Sequence, residues 1–458
     1  MRVPECSVLH AQRGKHVDKT IDIEDAADYK AEGFWFTSMT TGEKKTFWGC
    51  FWGWALDAFD VQIYSLVIPA LLVLGFISSK SDAGFIATVA LLTSAIGGWL
   101  AGALSDRVGR VRILQLTVLW FAVFTMLSGF AQNSTQLMLA RALMGFGFGG
   151  EWAAGAVLIS EAVQPRYRGR AVGTVQSGWA IGWGLAVLAF VVVFSLAPAE
   201  WAWRSLFFLG IVPALLVLYL RKYVNEPELR GKASTAYKSD EATARTAGRP
   251  KHQSSLLAIF RPGLVKKTIL CSLVAVGAQG GYYALTIWLP EFLAAERGLK
   301  VLALGGTLAV IIAGAFCGYL FGAWLSDKLG RRKAIVYTAI AAIIVVLPFT
   351  LVDLPTVVFT ILSFPLGFCA SAYFSGIGAF FAEQFPTESR GSGQGFSYNF
   401  GRGIGAFFPF LVGYVGSIIS LGTAIAIFAG SAYTIMAIAT LLLPETRGLD
   451  LQSEAVAA

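Results

Sequence analysis

Four charged side chains sit where a chain this apolar can least accommodate them. Asp57 and Asp60 lie in "GWALDAFDVQ", inside an apolar run from Phe47 to Gly75, while Glu151 follows "GFGFGG" and Arg402 closes "YNFGR". A carboxylate at bilayer depth costs roughly 2.5 kcal/mol or more, so each of these groups must be neutralised or used. Arg402 stays protonated and presents a planar fork matched to a carboxylate, which makes it the candidate holder of an anion. Asp57, Asp60 and Glu151 are the candidate proton carriers, because intramembrane carboxyl groups serve as proton relays. The three histidines, His10, His16 and His252, all lie in polar stretches, so they offer no rival for that role. Asp57 and Asp60 are three residues apart and share a helix face, and Asn399 and Arg402 stand in the same relation. Gln279, Tyr283 and Tyr398 complete the candidate binding set, with Gln176, Tyr282 and Trp288 as further cavity lining. A structural ion pair that locks two helices is the plainer reading, but three acids against one midplane arginine leave negative charge over.

Other chemistries find no support in the spacing. The five cysteines (Cys6, Cys50, Cys271, Cys317, Cys369) form no CxxC pair, so neither a disulfide framework nor a metal site is expected. "GFGFGG" resembles a dinucleotide loop but lies within a helical pattern and follows no strand, so no cofactor is expected either. Small residues at that spacing let two membrane helices approach closely instead. No nucleophile–base pair is visible, which argues against an enzyme.

The elements that must carry these residues follow from composition. The chain has 458 residues, 56% hydrophobic and only 14% charged, with 50 glycines. Soluble domains are nearer 25% charged, so this is an integral membrane protein. Apolar segments of about 20 residues span a bilayer as helices. Twelve are expected, at 47–75, 83–104, 113–131, 136–159, 171–196, 204–222, 268–293, 303–325, 334–352, 356–381, 393–418 and 421–443. At ~1.5 Å per residue, Asp57, Asp60, Glu151 and Arg402 all fall about 15–20 Å from the cytoplasmic ends of their helices. Arg141 falls some 30 Å up, in the outer half.

A net charge of +8 does not signal nucleic acid, because the basic residues lie between apolar runs. Of the 36 Lys and Arg residues, four fall in outside loops (Lys80, Arg204, Arg297, Lys300) and two deep within spans. The rest lie on the side of both termini, which the positive-inside rule makes cytoplasmic. The expected organisation is a polar N-terminal extension (1–45), a six-helix half (46–222), a cytoplasmic linker (223–267), a second six-helix half (268–445) and a tail (446–458). The extension shows no signal-peptide pattern, and Met39 offers an alternative start.

The two halves repeat. "GALSDRVGR" (102–110) returns as "GAWLSDKLGRR" (322–332), with Asp106 and Asp327 221 positions apart, as are Gly109 and Gly330. "EAVQPRYRGR" (161–170) returns as "EQFPTESRG" (383–391), and "NEPE" after the sixth span is echoed by "PETRG" after the twelfth. On Gly102, Asp106, Arg107, Gly109 and Arg110, and on "RALMGFGFGGEW", the chain resembles the major facilitator superfamily from about residue 45 to 448. That resemblance implies an all-α membrane fold of two pseudo-repeated six-helix halves. It also implies a cytoplasmic latch from Asp106, Arg107, Arg110, Glu161 and Arg168 in the first half, and from Asp327, Arg331, Glu383 and Arg390 in the second.

"GWALDAFD", "GFGGEW" and "YNFGRGIGAFFP" look similar to proton-coupled symporters of organic acids, the sialate and lactate-type carboxylate group first and aromatic-acid symporters next. Ala58 stands between the acids where aromatic-acid symporters usually carry Asp-Gly-x-Asp. The polar linker differs from sialate transporters with two extra central spans. The expected function is therefore uptake of a small organic anion with a proton by alternating access, in the inner membrane and as a monomer. A sugar:proton symporter or an exporter of the same fold is the alternative, and "EPE" and "PETRG" resemble sugar transporters.

Overall fold

In lipid every backbone N–H and C=O must be satisfied within its own segment, so long apolar runs become helices. The computed structural model describes residues 36–163, 168–223, 258–386 and 389–447, and among these the regular structure is helical. In chain order the helices are α1 (Thr41–Val73), α2 (Lys80–Val108), α3 (Arg110–Ser128), α4 (Ser134–Ala162), α5 (Arg168–Leu196), α6 (Ala199–Leu209) and α7 (Ala214–Tyr223). After residues 224–257 follow α8 (Val265–Thr286), the one-turn α9 (Leu289–Glu291) and a π-helical turn (Phe292–Glu296). The remainder are α10 (Val301–Leu329), α11 (Arg331–Leu351), α12 (Thr356–Ala372), α13 (Phe374–Gln384), α14 (Arg390–Gly405), α15 (Phe408–Val415) and α16 (Leu421–Leu441).

Ten stretches among the described residues are long and apolar enough to cross a membrane. The other two expected segments, 136–159 and 393–418, fall on the 29-residue α4 and on the pair α14–α15. Several expected spans are not single helices. The sixth breaks between α6 and α7 at Gly210–Pro213, the seventh between α8 and α9 before Pro290, and the eleventh between α14 and α15 before Pro409. Proline lacks the N–H a continuous helix needs but fits a helix's first turn, so each break restarts on one. Trp288 Nε1 donates to the Pro409 carbonyl at 2.9 Å, tying two of these breaks together.

Helix pairing repeats along the chain. α2 packs on α4 as α10 packs on α12, and α1 packs on α5 as α8 packs on α14. The contact chemistry repeats as well. Gly149 lies against the Ser94 carbonyl and Gly145 against that of Ala90, while Gly314 and Gly318 lie against the carbonyls of Phe364 and Phe368. Helices bearing such stripes approach backbone to backbone, gaining dispersion contacts that lipid cannot match. The repeated loops also share a conformation. Gly109 (φ 122°) and Gly330 (φ 100°) both occupy the positive-φ region that only glycine enters cheaply.

Beside Gly330, Arg331 pairs with Asp327 at 2.6 Å and with Glu383 at 3.5 Å, and its backbone N–H donates to Glu445 at 2.9 Å. Arg390 instead donates through Nε to the Ala382 carbonyl. The side chains of Asp106, Arg107, Arg110, Glu161 and Arg168 lie outside the described residues.

The packing predicts two opposite outcomes for glycine substitutions. Gly149→Leu sets a side chain into the α2 backbone and should lower the thermal midpoint of the purified protein sharply, since overpacking costs typically 1–3 kcal/mol even where side chains can yield. At Gly306, nothing lies within 4 Å of an added Cβ. Gly306→Ala should leave the midpoint unchanged or raise it, by up to about 1 kcal/mol of helix propensity.

Candidate functional site

α1 brings two acids into the interior on adjacent bearings, and each finds a different partner. Asp57, Asp60, Glu151 and Arg402 are each only 1% exposed. Glu151 on α4 reaches across to α1 because Gly53, one turn before Asp57, has no side chain. The Glu151 Oε1 atom occupies the space a Cβ there would need. The carboxyl groups of Asp57 and Glu151 are direct neighbours, and Arg402 from α14 is the basic group that acts on both. Two acids and one guanidinium from three helices form one cluster.

Arg402 is oriented by its surroundings. Its guanidinium carbon lies 5.2 Å from the centre of the Phe148 ring and 5.4 Å from that of Tyr398. Its Nε approaches Gln279 Oε1 at 3.4 Å. The same Gln279 oxygen accepts from the Tyr283 hydroxyl at 3.3 Å, and Gln279 Nε2 donates to the Tyr398 carbonyl at 2.9 Å. Four of the expected binding residues (Arg402, Gln279, Tyr283, Tyr398) thus meet in one network. Asn399 does not join it. Its Nδ2 donates to the Gly395 carbonyl one turn back at 3.0 Å, and its Oδ1 sits over Gly98 of α2.

Asp60 also acts electrostatically on Asp57 but takes a different ion partner. It pairs with Arg141 of α4, Oδ2 to NH1 at 3.6 Å, and that guanidinium also stacks over the rings of Tyr64 (5.5 Å) and Phe207 (5.7 Å). Helix-rise counting sets Arg141 well above Asp60. The count began α1 at Phe47, whereas the helix begins at Thr41, six residues earlier, which raises Asp60 by ~9 Å toward Arg141.

An aromatic wall that residue-type reasoning passed over continues from Arg402. Phe148 lies 6.2 Å from Trp179, ring centre to ring centre, and Trp179 lies 4.9 Å from Trp54. Trp179 Nε1 donates to the Tyr282 hydroxyl at 2.6 Å, bridging α5 and α8. Trp54 is three residues before Asp57 and therefore on its face, a signal the spacing did contain. Trp179 carries no comparable signal, because tryptophan is ordinary packing in membrane helices.

The sequence profile of the Major Facilitator Superfamily matches residues 50–409. A "Probable 4-methylmuconolactone transporter" of Cupriavidus pinatubonensis is 41% identical, over 92% of this chain and 94% of its own length. A "Cis,cis-muconate transport protein" of Acinetobacter baylyi is 28% identical, over 87% of this chain and 93% of its own. Among solved structures, a proton:xylose symporter, XylE, superposes with a TM-score of 0.68 at 19% identity, covering 91% of this chain and 99% of its own.

The Asp60–Arg141 pair makes a stability prediction. Asp60→Leu or Arg141→Met alone strands a buried charge and should destabilise by about 3–5 kcal/mol. The double variant removes both charges and should recover most of that loss. Thermal melting of the three variants in detergent checks it, and additive losses would show that the two residues do not interact.

Proposed function

The chain belongs to the Major Facilitator Superfamily, and from that premise we propose that it takes up a small organic anion together with a proton by alternating access. It is a multi-pass membrane transport protein for small organic acids, not an enzyme. The observation that carries the finer reading is Arg402 set against two acids, buried where helices from both ends of the chain converge.

In the proposed cycle the substrate carboxylate pairs with Arg402, the one cation of the cluster. Opposite charges about 4 Å apart gain roughly 4 kcal/mol at an effective dielectric of 20, and like charges lose as much. An arriving anion therefore competes with Asp57 and Glu151 for Arg402 and repels both. A proton entering the Asp57–Glu151 pair removes that repulsion, so substrate and proton each lower the cost of the other. The loaded site is nearly neutral and lets residues 46–222 and 268–445 rock as two six-helix halves about the linker, and the lower proton activity inside promotes release. The Asp327–Arg331–Glu383 cluster acts as the cytoplasmic latch of the second half. Asp106, Arg107, Arg110, Glu161 and Arg168 fill that role in the first. Termini in the cytoplasm of an inner membrane, and a monomeric carrier, complete the proposal.

The test is uptake into proteoliposomes under an imposed inward proton gradient. Wild-type protein is expected to accumulate a labelled organic acid and to lose that accumulation when a protonophore is added. Arg402→Ala should cut uptake about 100-fold, within the 2–5 kcal/mol that truncating a buried charge partner costs. Glu151→Gln should abolish accumulation while preserving substrate exchange at equal pH. Accumulation of a neutral hexose alone would move the protein to sugar symport. Transport only out of cells, seen as uptake by inverted vesicles, would make it an exporter.

A further inference from the structure

We propose that the groove between α1 and α7, on the lipid-facing surface, seats one acyl chain of an anionic phospholipid whose phosphate is held at Lys45. The groove is separate from the charge cluster, and its occupant does not depend on what that cluster carries.

The groove has a volume of about 530 Å³ and runs between Trp48, Trp52 and Leu56 of α1 and Leu215, Leu216 and Tyr219 of α7. The three α1 residues follow at intervals of four, so they stand one above another on a single helix face. Trp48 and Trp52 are 41% and 40% exposed. Phe51 steadies both, with its ring centre 5.4 Å from that of Trp48 and 5.8 Å from that of Trp52, each edge to face. Leu216 is buried and forms the floor. Its Cδ2 lies 3.6 Å from where a Cβ on Gly53 would stand, and Glu151 Oε1 already fills that space. One layer of side chains therefore separates the groove from Glu151.

One end of this apolar groove is positive. Lys45 precedes Trp48 and Trp52 by three and seven residues and shares their face of α1. Its Nζ stands 5.2 Å from the centre of the Tyr223 ring, and its carbonyl accepts from the Tyr219 hydroxyl at 3.3 Å. Tyr219 and Tyr223 lie 5.1 Å apart, ring centre to ring centre, so a lysine and two phenols gather at this end. Lys44 adds a second positive charge on the neighbouring bearing. The nearby acid, Glu43, is buried and lies about 200° round the helix from Lys45, on the opposite side.

Apolar walls with positive charge at one end match the polarity of a single lipid leaflet, where an acyl chain runs inward from its headgroup. Basic pockets between membrane helices bind anionic headgroups, and Trp and Tyr side chains settle at headgroup level. A phosphate at Lys45 gains charge-assisted hydrogen bonds from the ammonium group. A zwitterionic headgroup brings a cation of its own, which Lys44 and Lys45 repel. The charge pattern therefore favours the anionic lipid over the zwitterionic one with the same chains.

The experiment reads tryptophan quenching by lipids brominated on their acyl chains. Purified protein is placed in phosphatidylcholine nanodiscs doped with increasing fractions of brominated phosphatidylglycerol or brominated phosphatidylcholine. The signal of Trp48 and Trp52 is the difference between wild type and the Trp48→Phe/Trp52→Phe variant. Half-maximal quenching of that pair is expected at about fivefold lower mole fraction of the phosphatidylglycerol, the preference one lysine gives an anionic lipid. Lys45→Gln should bring the two lipids to the same mole fraction, and Lys45→Arg should restore the difference. Equal quenching by both lipids in wild type would overturn the site, as would a phosphatidylglycerol excess that survives in Lys45→Gln or in the double tryptophan variant. Absence of quenching by either lipid would overturn it too. Two copies per disc would then assign the groove to a second copy, and one copy per disc would assign it to residues 1–35.

Discussion

Charge in a low-dielectric interior is the constraint from which the arrangement of this molecule follows. An ionised side chain at bilayer depth costs about 2.5–3.5 kcal/mol on insertion scales. A partner roughly 4 Å away returns about 4 kcal/mol at an effective dielectric of 20. The two magnitudes are close, so each buried charge is tolerable only where a specific neighbour stands opposite. α1 and α4 supply the acids and Arg141, and α14 supplies Arg402. Meeting those charges fixes which faces of the three helices point inward. Aromatic rings over both guanidiniums add cation–π attraction, which grows when the groups are desolvated.

Glycine converts that electrostatic demand into geometry. Glu151 reaches Asp57 only because Gly53 yields the space between α1 and α4. Farther along, the stripe of Gly145 and Gly149 seats α4 against the α2 backbone, and Gly182 seats α5 against the Ala55 carbonyl of α1. Helices locked at backbone distance cannot slide past each other, so the register that brings the acids to Arg402 is held by packing well away from the charges. The high glycine content is thus part of how the site is positioned. The repeat carries the same device into the second half of the chain, where Gly401 and Gly405 of α14 lie against Ala275 and Gly280 of α8.

Much of this was legible before any coordinates. Apolar run length implied the helices, because lipid leaves the backbone few alternatives. The 221-residue repeat marked Gly109 and Gly330, and both adopt the positive φ that a repeated glycine suggests. Depth counting put Asp57, Glu151 and Arg402 at one level, where the structure brings them together. What was not legible depends on where the helices begin and where they break. Arg141 counts as an outer-half residue, and it meets Asp60 because α1 begins six residues before Phe47. Asn399 and Arg402 share a spacing but not a partner, because α2 comes close enough at Gly98 to engage one of them. The aromatic wall left little trace, since Trp179 and Phe148 look like any other membrane tryptophan and phenylalanine until their neighbours are known.

The two charge groups on α1 differ in a way that separates architecture from function. Asp60 and Arg141 are one acid and one base, and their charges balance. Adding a proton or an anion to that pair would break a balance, so the pair resists change and suits a structural role. Asp57, Glu151 and Arg402 are two acids and one base. With both acids ionised, that group is stable only when something else arrives to complete it. One proton cancels the excess negative charge and frees Arg402 from one competitor, which leaves the guanidinium able to take an anion. Occupancy by either visitor therefore raises the affinity for the other, which is the condition for coupled transport and the one a locked ion pair cannot meet. The imbalance of charge, more than the presence of charge, is why we propose this cluster as the working part of the protein.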